Sequence, residues 1–346
     1  MQALRVNSTL QGGKYRIIEK LGQGGFGITY LAENTLLEGK VAIKEFFFKE
    51  YCDRDDATCN VMTIPAWGHR EIVERSKQKF IKEAHTIFSL NHPNIVRILD
   101  VFEENGTAYY VMEYIDGESL GDMVKRRGGI SEAEALGYVK DAASALEYIH
   151  SKNINHLDIK PGNLMKRKED GRIIVIDFSV AKQFGLFTLR GEQAEQGALM
   201  PVGISHGYSP LEQYSENGVQ AFSPQSDVYA LAATLFKLLT GNTPPEAIEI
   251  IDDGFPVAEL LEKHISRPVI SAIAMAMKSH HERTQSVTEF VSNLSRGCIE
   301  ESEWAEVILA LTESEDKAKA NRKRKRLWTV AVVVAIVVIL LMIFFQ

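Results

Sequence analysis

The chain has 346 residues, enough for one domain with a sizeable core and a tail. Its 45% hydrophobic and 25% charged content is that of a globular protein, and a net charge of -7 gives no general reason to expect nucleic-acid binding. Three cysteines, Cys52, Cys59 and Cys298, make no disulfide framework and suit a reducing compartment. With no second Cys or His pair at zinc spacing, they are expected as free thiols.

Residues 1–14 read as a lead-in ending near Gly12-Gly13, without the apolar segment of a signal peptide. Tyr15 to Leu21 and Thr29 to Ala32 read as two strands around Gly22-Gln23-Gly24-Gly25-Phe26-Gly27. Gly22, Gly24 and Gly27 would let backbone approach phosphate groups without a side-chain clash. Such a loop alone is weak evidence, because it also serves dinucleotides and ordinary turns. Lys40 to Phe46 reads as a third strand carrying Val41-Ala42-Ile43-Lys44.

Residues 47–70 read as an irregular insertion whose Val61, Met62, Ile64 and Trp67 are expected to pack on the strand-rich part that precedes it. Glu71 to Leu90 reads as a helix, stopped before Asn91-His92-Pro93. It offers a carboxylate to Lys44. Glu83 is preferred over Glu71 and Glu74 because Phe80, Ile87 and Leu90 share its face. Ile95 to Phe102 and Thr107 to Tyr114 read as a hairpin turning at Glu104-Asn105-Gly106.

Beyond this point the pattern turns helical. Ser131 and Glu134 form a capping box before a run with Leu136, Val139, Ala143, Leu146 and Ile149 at helical spacing. Asp227 to Leu239 reads as a mostly apolar, buried helix ending at Thr240-Gly241. Strands first and helices later imply an α+β chain. Between these helices lie His156-Leu157-Asp158-Ile159-Lys160-Pro161-Gly162-Asn163 and Asp177-Phe178-Ser179. A carboxylate such as Asp158 can orient an attacking hydroxyl and accept its proton. Asn163 and Asp177 supply oxygens of the kind Mg²⁺ takes. A strand-end carboxylate such as Asp177 is, taken alone, more often a turn cap.

The order and spacing of these four elements resemble a eukaryotic-like Ser/Thr protein kinase of a bacterial branch, over roughly residues 15–296. The resemblance implies the two-lobed protein kinase fold, with a β-rich small lobe over about 15–114 and a helical large lobe over about 115–296. It implies transfer of the ATP γ-phosphate to protein Ser/Thr hydroxyls, the chain's own included, with Mg²⁺ or Mn²⁺. It assigns Asp158, Lys160, Lys44 and Glu83 to catalysis and Asn163 and Asp177 to the metal. Around the nucleotide it places Leu21, Gly22, Gln23, Gly24, Gly25, Phe26, Gly27, Thr29, Ala42, Lys44, Met112, Glu113, Ile115, Asn163, Leu164 and Asp177. Met112 stands as gatekeeper, and the backbones of Glu113 and Ile115 face adenine. Tyr208-Ser209-Pro210-Leu211-Glu212 matches the family's Ala-Pro-Glu segment, with Arg283 as the partner of Glu212 and Asp227 as the structural aspartate.

The chain departs from the family at three points. Leu157 replaces the arginine that pairs with an activation-loop phosphate, so loop phosphorylation is expected to matter less. Ser179 replaces the glycine of Asp-Phe-Gly, and Thr29 replaces a valine over adenine. Among Thr188, Ser205 and Ser209, Thr188 is the preferred autophosphorylation site. Ser205 aligns with the threonine that contacts the catalytic aspartate and lysine. The rivals are an ATP-binding scaffold without transfer and a small-molecule phosphotransferase. The intact Lys44, Glu83, Asp158, Asn163 and Asp177 weigh against the first, and Lys160 with the segment ending at Glu212 weighs against the second.

Residues 297–326 read as a polar connector ending in the basic run Arg322-Lys323-Arg324-Lys325-Arg326. Leu327 to Phe345 is apolar throughout and as a helix would span roughly 28 Å, about the thickness of a bilayer core. A nuclear address is the alternative for the basic run. Its abutment to the apolar stretch instead predicts a single-pass helix over 327–345 in the cytoplasmic (inner) membrane, with the domain in the cytoplasm and only Gln346 beyond. Inputs are then expected from the cytoplasm, the bilayer or a partner within it. Ala331 and Ala335 would let two spans pack as a homodimer, although chance spacing explains the pair in so Ala/Val-rich a run.

Overall fold

The computed structural model describes residues 2–178, 181–183, 204–215 and 219–296, with short helical pieces at 304–305 and 308–309. The apolar run 327–345, its basic flank, Ala331, Ala335, Ser179, Thr188 and Cys298 lie outside the described residues. Among the described residues no helix is long and apolar enough to cross a membrane. The chain divides into two compact units, Met1–Leu120 with Gly162–Ala181, and Gly121–Pro161 with Lys182–Gln346.

The first unit is built on a six-stranded antiparallel sheet. Its spatial order is Thr9–Leu10, Tyr15–Gln23, Gly27–Asn34, Gly39–Phe46, Thr107–Glu113 and Ile98–Glu104. Asn105 and Gly106 both take positive φ (51° and 69°), the two-residue turn that matches strand twist and that the sequence predicts. The helix His69–Phe88 lays Phe80, Ala84 and Ile87 against the sheet, with Phe80 stacked 4.9 Å from Tyr110. Gly162–Ala181 belongs here, rather than with the helices that precede it, because its strands pair locally. Leu164–Arg167 lies between Ile173–Val175 and Gly117–Ser119. A Cβ at Gly117 would sit 2.0 Å from the Lys166 carbonyl oxygen, so the pairing demands glycine.

The 47–70 segment departs from the irregular insertion read in the sequence. Cys52–Arg54 pairs antiparallel with Val61–Thr63 as a short hairpin. The apolar side chains expected to fix it do not: Trp67 is 100% exposed and Met62 52%. The anchor is a buried ion pair, Arg54 Nη2 to Glu45 Oε1 at 2.6 Å. The phenol groups of Tyr30 and Tyr109 also donate to Glu45, at 2.7 and 2.8 Å. A buried charge pair holds only when its remaining hydrogen-bonding capacity is met. Here Arg54 also donates to the carbonyls of Cys59 and Gln2, at 2.7 and 2.8 Å.

The second unit is helical. Glu132–His150 and Pro224–Thr240 form its centre, with Arg267–Ala276 and Val287–Leu294 packed around them. Ser131 caps the first by accepting the Glu134 N–H, as the sequence pattern predicts. Pro224–Thr240 is buried almost all round, Ser226, Asp227 and Thr234 included. It ends at Gly241 in the left-handed region (φ 82°), where a Cβ would meet the Gly128 carbonyl oxygen at 2.4 Å.

Candidate active site

Every residue that the sequence places around the nucleotide lies in the first unit. The strands Tyr15–Gln23 and Gly27–Asn34 meet through a turn closed by Gly24 N–H donating to the Gly27 carbonyl at 2.9 Å. The glycines divide by cause. A Cβ at Gly22, Gly24 or Gly25 would meet nothing within 4 Å, so the protein's own packing does not require glycine there. These are the positions where an approaching phosphate profits from a bare backbone. Gly27 is different: its Cβ would lie 2.7 Å from the Glu45 carbonyl oxygen. Sheet packing therefore requires this glycine, a reason the motif conceals.

Leu21 and Phe26 are exposed and Thr29 is half-buried on the adjoining strands. Ala42 pairs with Met112 across neighbouring strands. Met112, Met165 and Ile176 pack on the buried cluster of Val96, Ile115 and Ile174, and Leu164 is fully buried. Glu113 is tied down at both ends. Its N–H donates to the Arg97 carbonyl at 3.0 Å, and its carboxylate accepts the Arg97 N–H at 2.9 Å.

Lys44 sits mid-strand in Gly39–Phe46 and forms an ion pair with Asp177, Nζ to Oδ1 at 2.6 Å. Burial opposes its charge, but Asp177, Tyr110 and Glu83 outweigh it and hold the ammonium well above the usual lysine range. Of the three candidate carboxylates on the helix His69–Phe88, Glu74 is engaged by Lys77 and Gln78, and Glu71 lies in the exposed first turn. Glu83 alone of the three acts on Lys44 through its charge. Lys44's ion pair is nevertheless with Asp177, not with the glutamate the sequence reading favours. Burial pushes the Glu83 carboxyl up to about 7; Asp177 adds to the rise, while Lys44 and Tyr110 oppose it.

Asp177 follows the strand Ile173–Val175 and takes a left-handed backbone (φ 59°), which aspartate tolerates better than most residues. The Ile176 N–H donates to the Asn163 carbonyl at 2.9 Å, joining the segments that carry Asn163 and Asp177. One carboxylate and one carboxamide are hard oxygen donors, which fits Mg²⁺ sharing its shell with phosphate and water.

Asp158, Lys160 and Ser205 form a closed triangle in the second unit. Ser205 Oγ donates to Asp158 Oδ1 at 2.6 Å, and Lys160 Nζ reaches Asp158 at 2.9 and 3.0 Å and Ser205 Oγ at 2.9 Å. The loop bearing Asp158 is fixed from below by Asp227, in the first turn of Pro224–Thr240. Asp227 accepts the backbone N–H of Leu157 at 2.7 Å and that of His156 at 2.9 Å, and pairs with His150 Nε2 at 2.8 Å. Burial alone would raise the Asp227 carboxyl; His150, His156 and the Leu157 amide hold it below the usual range.

These bonds hold Leu157 in the left-handed region (φ 64°), its side chain buried, with Gln213 Nε2 donating to its carbonyl at 2.9 Å. Ser209 is buried, and its Oγ accepts the Ser205 N–H at 3.0 Å. Arg283 grips Glu212 at 2.7 and 3.4 Å, Ser226 Oγ donates to the same carboxylate at 2.9 Å, and the guanidinium lies over the Tyr229 ring.

Sequence reasoning missed Glu45, Arg54, His150 and Ser226. His150 and Ser226 carry no motif, and Glu45 and Arg54 are of residue types that are seldom fully buried. The hydroxyl that Ser205 brings to Asp158 is visible in the sequence only through the family resemblance.

The protein kinase domain profile matches residues 15–303. Serine/threonine-protein kinase B of Synechocystis sp. is 33% identical over 264 residues, covering 75% of this chain and 42% of that protein. Serine/threonine-protein kinase PrkC of Bacillus subtilis is 33% identical over 260 residues, covering 75% of this chain and 34% of its own. The chain thus spans less than half the length of these relatives. A solved structure titled PpkA-294 apo form superposes with a TM-score of 0.69 at 26% identity, over 85% of this chain and all of that one.

Proposed function

Because the chain belongs to the protein kinase domain family, we propose that it transfers the γ-phosphate of ATP to Ser and Thr hydroxyls of proteins, its own included. The observation that carries this reading is the triangle of Asp158, Lys160 and Ser205. It presents a carboxylate beside a cation, with a hydroxyl already on the oxygen that an acceptor hydroxyl would approach. Asp158 orients that hydroxyl and takes its proton, while Lys160 offsets charge at the transferred group. Lys44 exchanges part of its bond to Asp177 for the α- and β-phosphates, and Glu83 steadies it. Asn163 and Asp177 would hold Mg²⁺ (or Mn²⁺), which would supply neutralisation of charge on the phosphates.

The further expectation is a membrane tether. The apolar run 327–345 and the basic run 322–326 support a single span in the cytoplasmic membrane, the catalytic domain lying on the cytoplasmic side. A homodimer through two such spans is the last expectation, and the Ala331 and Ala335 spacing, which chance explains in so Ala/Val-rich a run, does not by itself carry it.

The test incubates the full chain with γ-labelled ATP, Mg²⁺ and a general protein acceptor beside Asp158→Asn. Label on Ser and Thr in the wild type, lost in the variant, supports transfer. Nucleotide binding without label in either protein would favour a scaffold. Carbonate-resistant membrane retention of the full chain, lost on deleting 327–346, tests the tether. Cross-linking in the membrane tests the pairing.

A further inference from the structure

The glycine loop is strapped along one side by the chain that leaves the lysine strand. The strand Gly39–Phe46 ends opposite Gly27, and the next residues continue beside the tip of the loop. Phe47 N–H donates to the Phe26 carbonyl and Lys49 N–H to the Gly25 carbonyl, each at 3.0 Å. The Phe26 ring packs on Phe48 at 4.8 Å, Phe48 on Tyr51 at 4.4 Å, and Tyr51 on His69 at 4.7 Å. His69 is the first residue of the helix that carries Glu83, and its Nδ1 bonds the Ile64 carbonyl at 3.1 Å. The far side of the loop is tied to the same hairpin. Gln23 Nε2 donates to Gln2 Oε1 at 2.8 Å, and Arg54 holds the Gln2 carbonyl while pairing with Glu45.

We propose that the 47–64 hairpin is a brace for the phosphate-binding loop, with Phe48 and Tyr51 as positioning residues that couple the tip at Phe26 to the start of the Glu83 helix. The inference rests on the nucleotide reading of this loop. A glycine-rich turn with open space around Gly22, Gly24 and Gly25 loses conformational freedom when it closes on a ligand. Two backbone bonds and three aromatic contacts remove part of that freedom beforehand, so the loop binds phosphate with less ordering left to do. The brace also accounts for the aromatic residues at 48 and 51, whose rings continue the contact that begins at Phe26.

The experiment measures the affinity of the full chain for a non-hydrolysable ATP analogue with Mg²⁺ by calorimetry. It compares wild type, Phe48→Ala, Phe48→Tyr, Tyr51→Ala, Phe26→Ala and the Phe26→Ala/Phe48→Ala pair. Amide exchange at residues 22–27 is followed in parallel. The brace predicts about tenfold weaker binding for Phe48→Ala and Tyr51→Ala, near wild-type affinity for Phe48→Tyr, and faster exchange at the loop. In the Phe26→Ala background the Phe48→Ala effect largely vanishes, because its contact is already gone. Phe48 is buried, so Phe48→Ala endangers folding; Tyr51 is half-exposed, and Tyr51→Ala then decides. Wild-type affinity in Tyr51→Ala, or losses from Phe26→Ala and Phe48→Ala that simply add, overturns the brace. Failure of the wild type itself to bind the analogue overturns the nucleotide reading beneath it, and is told apart by that.

Discussion

Raising the pH from 5 to 8 should destabilise the wild-type protein relative to Glu83→Gln. Burial lifts the Glu83 carboxyl from 4.5 to about 7 in the folded protein. The folded state therefore keeps a proton that the unfolded chain releases. Its contribution to stability is fully present below the unfolded value of 4.5 and is lost as the pH rises through 7. At about 1.4 kcal/mol per pH unit, that interval is worth about 3 kcal/mol. For a domain of this size 1 kcal/mol moves the melting temperature by somewhat under about 2 °C, so the two proteins should diverge by about 5 °C. Glutamine keeps the shape and removes the titration. The comparison is needed because burial lowers His92, which works in the opposite sense near pH 6.5. The carboxylates held low, Asp55, Glu74, Asp100, Glu212 and Asp227, titrate below this window. Thermal unfolding of both proteins at intervals across the range is the assay. Melting curves that shift in parallel from pH 5 to 8 would show that Glu83 does not hold its proton, and would refute the burial argument.

Three further outcomes follow from the second unit. Ser205→Ala should lower kcat on the order of tenfold to hundredfold with little change in ATP affinity, Ser205→Thr should retain most of it, and phosphopeptide mapping should find Ser205 unmodified, since its hydroxyl is committed to Asp158 and Lys160. Arg283→Ala should cost about 3 kcal/mol in denaturant unfolding, because it leaves the largely buried Glu212 carboxylate without its counter-charge. Phosphatase treatment should leave the transfer rate within about twofold, because Leu157 is a buried apolar group with no charge to offer a loop phosphate; activity that vanishes and returns on rephosphorylation would contradict this.

The parts of the site that were legible in the sequence are those whose chemistry sits in a contiguous segment. The glycine loop, Val41-Ala42-Ile43-Lys44 and the stretch from His156 to Asn163 each carry their spacing within a few residues. The strands flanking the loop and the Asn105-Gly106 turn follow from local period and backbone preference, so they were readable as well. What stayed hidden is set by pairs far apart in the chain. Lys44 meets Asp177 across 133 positions, and no local pattern selects that partner over Glu83. Leu157 could be recognised as a departure from the family, but not as a residue pinned at positive φ by Asp227, 70 positions away.

The 47–64 hairpin failed for a different reason, and that reason bears on how charge in this chain is read. Its strands are three residues long, too short for a period-2 signal, and Met62 and Ile64 face solvent. Its anchor is a glutamate beside the lysine motif and an arginine in a polar stretch, both of which composition assigns to the surface. Glu45, Arg54, Asp227 and Arg283 are all buried, and each bonds to at least one segment remote in sequence. A buried charge is tolerated only where such partners converge, whereas an apolar side chain accepts any neighbour of fitting shape. In this chain the apolar pattern accordingly lays out the sheet and the helices. The loop that bears Asp158 and the hairpin after the lysine strand are fixed by buried charges, whose positions can be derived only once the partners are in place.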